Sequence, residues 1–275
     1  MPEGDTIFRA ARTLHLALAG RQVTRFETVL PALQRVHDDE PITGRTVDGV
    51  RAVGKHLLIE FSDGLVLRTH MRMNGSWHIY RPGERWQRGR AAMRVVVGNT
   101  EYVAVAFDVP VAEFLRARAL DRHPALSSLG PDLLAPDLDV DAVVGRLRAR
   151  PSTAVADALL DQRMAAGVGN VFKSEVLFVC GIDPFRPVSA LSDEEARRVI
   201  DTSRELLKAN VIDAARNGAP EWGGGRRTTR RMDPSARLWV YGRGGRPCRR
   251  CGTPIACRKQ GADARLTYWC PACQK

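Results

Sequence analysis

Apolar residues at Ile7, Ala11, Leu14 and Leu18 recur at i, i+4, i+7 and i+11. This spacing predicts an amphipathic helix over residues 6–19, stopped by Gly20. Asp5 stands where an N-cap is preferred and where its charge suits the helix dipole, which places Pro2 and Glu3 just ahead of a helix start. From Arg21 to Val109 the period becomes that of strands. Val23–Phe26, Thr46–Val50, His56–Phe61, Leu65–Thr69, Ser76–Tyr80, Met93–Val97 and Tyr102–Phe107 are separated by turns such as Ser62-Asp63-Gly64 and Gly98-Asn99-Thr100. Short strands at this spacing predict a two-sheet sandwich or barrel. The polar segment Arg81–Arg90, with Pro82 and Gly83, reads as a mobile loop, and Ala112–Leu120 as a short helix.

His123-Pro124 and Leu129-Gly130-Pro131 interrupt the pattern and mark a boundary. Beyond it the spacing is helical over Asp141–Arg148, Ala154–Ala165 and Val171–Val179. Ser192 to Glu195 is a capping box that opens a helix to about Arg216, with Gly218 beyond its end. Ala219–Arg231 is rich in Gly and Arg and reads as a flexible basic loop, before two strands and a cysteine cluster close the chain.

Composition narrows the partner. The chain of 275 residues is 44% hydrophobic and 27% charged, as in a folded domain protein, but carries a net charge of +11. That excess suggests a polyanion, most simply nucleic acid. No apolar run is long enough to span a membrane, and the acidic Glu3 and Asp5 are unlike a signal peptide. A cytoplasmic, reducing location is therefore expected, with cysteines as thiols or metal ligands.

Five groups of residues carry candidate chemistry. Cys248-x-x-Cys251 and Cys270-x-x-Cys273, eighteen residues apart, match a four-thiolate zinc site on a β-hairpin, against a redox pair or chance. Four thiolates leave no position for water, so such a zinc is structural. Gly167-Val168-Gly169-Asn170 is either a plain helix connection or an anion site at a helix start. Lys55, in Val53-Gly54-Lys55-His56, is either a solvated charge or a phosphate and proton-transfer group. In the turn His70-Met71-Arg72-Met73-Asn74-Gly75, the methionines are either core residues or wedges for a base stack. The start Met1-Pro2-Glu3-Gly4-Asp5-Thr6 is by itself an ordinary leader into a helix. With Met1 removed, Pro2 is also a secondary amine titrating near pH ~8. Its adduct with a sugar aldehyde is an iminium with no N–H proton to lose, an electron sink beside the carboxylate of Glu3.

Taken in order, these stretches are similar to the formamidopyrimidine-DNA glycosylase and endonuclease VIII family over essentially the whole length. The resemblance implies an α+β multidomain fold: an N-terminal helix plus two-sheet β-sandwich, then a helix-two-turn-helix domain with a zinc β-hairpin. The corresponding boundaries are 2–122, a hinge at 123–135, 136–232 and 237–275. It implies a bifunctional glycosylase and AP lyase of base excision repair, acting as a monomer on damaged double-stranded DNA. The protein would sit in the bacterial cytoplasm, at the nucleoid through its DNA, with one structural Zn2+. By resemblance Pro2 is the Schiff-base nucleophile and Glu3 the general acid for ring opening. Lys55 serves phosphate binding and β-elimination, and Arg265 grips phosphate and assists δ-elimination. Asn170 binds phosphate, His70 contacts the DNA, and Arg72, Met73 and Asn74 fill the void left by the extruded base. Cys248, Cys251, Cys270 and Cys273 hold the metal.

The chain departs from the family pattern at Thr6, where many members have a second glutamate. Its cysteine spacer is longer than usual, and Ser127-Ser128 replaces an arginine of some members. The start and Asn170-Val171-Phe172-Lys173 favour the endonuclease VIII branch and oxidised pyrimidines, whereas Met73 is the residue type of the purine branch. The rival functions are an oxidised-purine glycosylase, a non-excising AP lyase, and a zinc-containing DNA-binding protein without chemistry.

Overall fold

A computed structural model describes residues 2–212, 226–231 and 233–275. The chain forms two compact units, one running to Ser128 and the other beginning at Leu129.

In the first unit, helix α1 (Gly4–Leu18) precedes eight antiparallel strands. Strands β1 (Arg25–Thr28), β6 (Met93–Gly98), β7 (Val103–Phe107) and β5 (Ser76–Tyr80) make one sheet. Strands β2 (Val47–Val53), β3 (His56–Phe61), β4 (Leu65–His70) and β8 (Val111–Arg116) make the other. The sheets and α1 share one core. Ile7, Leu14 and Leu18 of the helix are packed with Leu57, Ile59 and Leu67 of one sheet and Val95, Val97 and Ala106 of the other. Removing one such side chain, as in Leu14→Ala, typically costs about 2–5 kcal/mol. The polar edge of buried Trp77 is satisfied by Thr69, whose Oγ1 accepts from the indole at 3.1 Å.

One reading fails here. Ala112–Leu120 is not a helix: Val111–Arg116 is β8, and Ala117–Arg122 is a 3-10 segment. β8 pairs with β4 from Leu65↔Arg116 to His70↔Val111. A ladder that satisfies the backbone along an otherwise open edge outweighs the local helical spacing. Helix α2 (Pro31–Asp39) lies between Phe26 and Thr46, within the region read as mostly strand but where no element was assigned. Pro31 starts it, a position that needs no N–H donor, and Leu33 anchors it in the core.

The second unit contains α4 (Val140–Arg148), α5 (Val155–Leu160), α6 (Asn170–Cys180) and α7 (Asp193–Ile212), introduced by the short α3 (Pro124–Ser127) at the end of the first unit. The expected helix to Ala165 stops at Leu160. Asp161 turns the chain by accepting the Arg163 N–H at 2.9 Å and pairing with Arg150 at 3.0 Å. The capping box forms as read: the Ser192 hydroxyl accepts from Glu195 N–H (3.1 Å), and the Glu195 carboxylate accepts from Ser192 N–H (2.9 Å). The expected helix end near Arg216 and Gly218, and most of the Ala219–Arg231 loop, lie outside the described residues. The antiparallel hairpin of β9 (Ala256–Gln260) and β10 (Arg265–Trp269) finishes the chain.

Candidate active site

Pro2 sits directly before α1, and Glu3 is the helix N-cap, extended at φ −127° and ψ −175°. The Glu3 carbonyl accepts from the N–H groups of Thr6 (2.9 Å) and Ile7 (3.0 Å), so the helix begins at Gly4, two residues earlier than expected. Asp5 is therefore not the cap. It lies within the first turn, fully buried, with the Thr6 hydroxyl at 3.2 Å and Arg9 at 3.7 Å. Glu3 is itself only 1% exposed. The start of the chain is a held structure rather than a loose leader.

Helix α1 packs on β2 and β3, and the tip of their hairpin carries Lys55. Val53 pairs with His56, so Gly54-Lys55 is a two-residue turn, closed by Gly54 at φ +56°. At the same end of the sheet, His70 ends β4. Its Nδ1 accepts from the Arg72 N–H at 3.1 Å, which places the proton of the neutral ring on Nε2. The positive charges of Lys55 and Arg72 both act on His70, so the structure brings these three candidates together.

The turn after β4 separates its two methionines. Met71 is buried in the core, whereas Met73 is 52% exposed between exposed Arg72 and Asn74. The Gly75 N–H closes the turn on the Met71 carbonyl at 2.9 Å. A Cβ at Gly75 would stand 2.5 Å from that oxygen, so only glycine fits. Arg72 adopts φ +50°, a left-handed backbone uncommon for a side-chain-bearing residue. The tight turn projects three long polar or flexible side chains beside a cavity of about 660 Å³.

In the second unit, Asn170 opens α6 after N-cap Gly169. The preceding turn is held by Gln162, which donates to the Val168 carbonyl (2.9 Å) and accepts from Gly167 N–H (3.2 Å). The first turn of α6 is bonded to β10 at three successive residues. Asn170 Nδ2 donates to the Leu266 carbonyl (2.9 Å), Lys173 Nζ to Thr267 Oγ1 (2.6 Å), and Tyr268 N–H to Ser174 Oγ (3.3 Å). Arg265, with its side chain 41% exposed and 3.6 Å from Asp263, begins that same strand. The Gly167–Asn170 turn and the strand that Arg265 begins are thus parts of one bonded assembly.

The sulfurs of Cys248, Cys251, Cys270 and Cys273 lie within 4.8 Å of one another. The Cys248–Cys273, Cys251–Cys270 and Cys251–Cys273 separations are 3.9, 3.5 and 3.4 Å. Thiolates about 2.3 Å from a tetrahedral zinc would stand about 3.8 Å apart, so the donor set and spacing fit a bound metal. The Arg250 N–H approaches Cys248 Sγ at 3.4 Å, and the buried Gln274 accepts from Cys270 N–H at 2.8 Å. These are the outer contacts that orient metal ligands.

The comparisons with known proteins agree with this layout. The formamidopyrimidine-DNA glycosylase N-terminal domain matches residues 1–108, the H2TH domain of that glycosylase matches 129–218, and a zinc finger found in FPG and IleRS matches 245–275. A probable endonuclease 8 2 of Streptomyces coelicolor is 45% identical, over 100% of this chain and 94% of the relative. The chain belongs to the formamidopyrimidine-DNA glycosylase and endonuclease 8 family. A Mycolicibacterium smegmatis relative, named DNA-(apurinic or apyrimidinic site) lyase Nei2, is 38% identical over 100% of this chain and 99% of its own length. The fold matches that of Lactococcus lactis Fpg in complex with abasic-site DNA, with a TM-score of 0.82 at 24% identity and full coverage of both chains. Among the described residues no helix is long and apolar enough to cross a membrane.

Several residues of this family member escaped the sequence reading. His56 is buried against His70, with ring centroids 4.8 Å apart, and Arg68 is buried beside Glu113, which also lies 3.2 Å from His123. The only signal was a charge inside an apolar strand, Leu65–His70. Glu175, fully buried, accepts from the N–H groups of Trp239, Val240 and Tyr241 at 2.7, 2.9 and 2.8 Å, tying the approach to the metal module to α6. Here the signal was Lys173 and Glu175 inside an otherwise apolar helix.

Burial, then the positive charges of Arg68, His70, His123 and Arg72, lowers the His56 pKa to about 3. Burial, then Arg72, Arg68 and Lys55, lowers that of His70 to about 4. Both rings are neutral when folded, whereas the unfolded chain takes up their protons below about pH 6.5. The stability they allow is complete above that pH and is lost as the pH falls towards 4 and then 3. Thermal melts should therefore show Tm falling with acidification. His56→Phe, which keeps the ring without the titration, should flatten the fall, by at most about 1.4 kcal/mol per pH unit. An unchanged pH dependence in that variant would contradict the assignment.

Proposed function

We propose that the protein is a bifunctional DNA glycosylase and AP lyase that excises oxidised bases, pyrimidines preferred, from double-stranded DNA. The observation that carries this reading is the first turn of α1, where Pro2 is presented beside a buried Glu3 rather than in a loose tail. Once Met1 is removed, the Pro2 amine attacks the deoxyribose anomeric carbon. Glu3 supplies the proton that opens the ring, and the base leaves. The resulting iminium draws electrons from the neighbouring carbons, so the 3′ phosphate departs by β-elimination and the 5′ phosphate by δ-elimination. Lys55 is the phosphate and proton group of the first unit, with His70 as a further DNA contact, while in the second unit Asn170 binds phosphate and Arg265 grips phosphate and assists δ-elimination. Arg72, Met73 and Asn74 occupy the space vacated by the extruded base.

The four cysteines hold one Zn2+. With every ligand position taken by thiolate it has a structural role: it fixes the hairpin and takes no part in the chemistry. The protein acts as a monomer in the cytoplasm, on nucleoid DNA. Its parts are a catalytic sandwich (2–122), a hinge (123–135), a helix-two-turn-helix domain (136–232) and the zinc hairpin (237–275).

The decisive test is excision from a panel of otherwise identical duplexes carrying oxidised pyrimidines, oxidised purines or an abasic site. Faster release of oxidised pyrimidines is expected. Preference for the purines would assign the protein to the other branch. Cleavage of the abasic site with no base release would leave a lyase alone.

A further inference from the structure

The sequence of the loop between β5 and β6 reads as a polar, mobile segment, yet the loop is pinned at several points. The Gln87 N–H donates to the Tyr80 hydroxyl at 3.0 Å, and Glu84 Oε2 accepts the Arg81 N–H at 2.8 Å. Trp86 packs over the outer face of the sheet against Phe107 (5.7 Å, interplanar 77°) and Tyr80 (6.4 Å, 30°). Arg81 lies 4.3 Å over the Tyr102 ring, and Arg90 5.7 Å from that of Trp86. Together with Arg25 these residues shape a groove of about 500 Å³, lined by Arg25, Arg81, Arg85, Arg88, Arg90 and half-buried Trp86.

The carboxylates nearby only partly offset this charge. Glu27 pairs with Arg25 (2.7 Å) and Arg90 (3.1 Å), Asp108 pairs with Arg88, and Glu84 lies in the lining. Five guanidinium groups thus face three carboxylates. Arg88 also lines the cavity beside Arg72, Met73 and Asn74, and it donates to the Asn74 carbonyl at 3.4 Å and to Ser76 Oγ at 3.3 Å. The groove therefore continues from the turn that the proposed function places inside the duplex.

We propose that this arginine groove is a second DNA track, which holds the phosphodiester backbone of the duplex flank beyond the intercalating turn. The assignment rests on the glycosylase reading for its partner. Planar guanidinium groups suit phosphate oxygens, and a fixed tryptophan face suits a sugar or an unstacked base. An acidic peptide would meet the same charge, but nothing would lead it past Arg88 to the turn. A duplex entered by that turn would bring its flank towards a groove that shares Arg88 with the turn's own cavity.

The test is noncovalent binding at a series of salt concentrations, using duplexes with a tetrahydrofuran abasic analogue. One duplex is long on both sides, and two others are trimmed to a few base pairs on one flank or the other. Arg85→Ala/Arg90→Ala, both exposed positions, should lower the log–log salt slope by about two units on the long duplex. Trimming the flank that the groove covers should abolish that difference from wild type, and trimming the other should not. Arg85→Lys/Arg90→Lys should restore the slope. Equal slopes for wild type and the alanine variant on the long duplex would overturn the track, as would a difference that persists whichever flank is trimmed. Binding needs no chemistry, so these outcomes are separate from borohydride trapping by the wild-type protein, whose absence would instead sink the glycosylase reading.

Discussion

Protein that retains Met1 is expected to give no borohydride-trapped adduct with abasic-site DNA, while still binding it. An acylated nitrogen has no lone pair to offer, so retention of Met1 removes the nucleophile without disturbing α1, whose first hydrogen bonds are made by the Glu3 carbonyl. Pro2→Ala should likewise lose the adduct. The variant has no secondary amine, and so cannot form the permanently charged iminium that borohydride reduces and that drives elimination. Glu3→Gln separates the two steps. The amide keeps the shape of the buried side chain but cannot donate the proton for ring opening, so base excision should fall by about 10²–10⁴-fold. Trapping on a preformed abasic site should fall less. Adduct formation through a lysine, or excision at full rate by Glu3→Gln, would overturn the assignment.

The second large effect is expected from the metal module. Chelation, or Cys270→Ser, should release the zinc, measured as one ion per chain in the intact protein by elemental analysis. It should also abolish specific DNA binding. Metal binding to structural sites of this kind contributes roughly 10–16 kcal/mol of folding free energy, far more than the hairpin can draw from its own core. That core is small: Phe178, Val240, Cys248, Ile255 and Cys270, with Trp239 and Tyr268 at its edge. Two of its members are themselves ligands. Without the metal, β10 loses its register against α6, and Arg265 loses the strand that positions it. The first unit has its own core around α1 and should melt as before. Undiminished DNA affinity in the metal-free protein would contradict this account.

The legible parts of the molecule were those set by neighbours in sequence. The spacing of Cys248, Cys251, Cys270 and Cys273 announced a four-sulfur cluster because each CxxC pair lies on a single turn of chain. The capping box at Ser192 and Glu195 is likewise local. The change of period near residue 130 located the passage from strands to helices, because hydrophobic period reports which face each element buries.

What the sequence by itself determined, then, is the set of parts: a helix-led run of strands, a helical region, a metal hairpin, and a basic chain suited to a polyanion. Tertiary structure decided the rest. Met71 and Met73 are two residues apart and the same type, yet one is core and the other exposed, because Gly75 closes the turn on the Met71 carbonyl. Val111–Arg116 is a strand because β4 offered it an unpaired edge. Arg68, Lys173 and Glu175 are tolerated in apolar elements because Glu113, Thr267 and the backbone of residues 239–241 come from distant parts of the chain to meet them. In each case the deciding partner is remote in sequence. Burying a charge or leaving a backbone edge open is affordable only when that partner arrives, and no local pattern records its arrival.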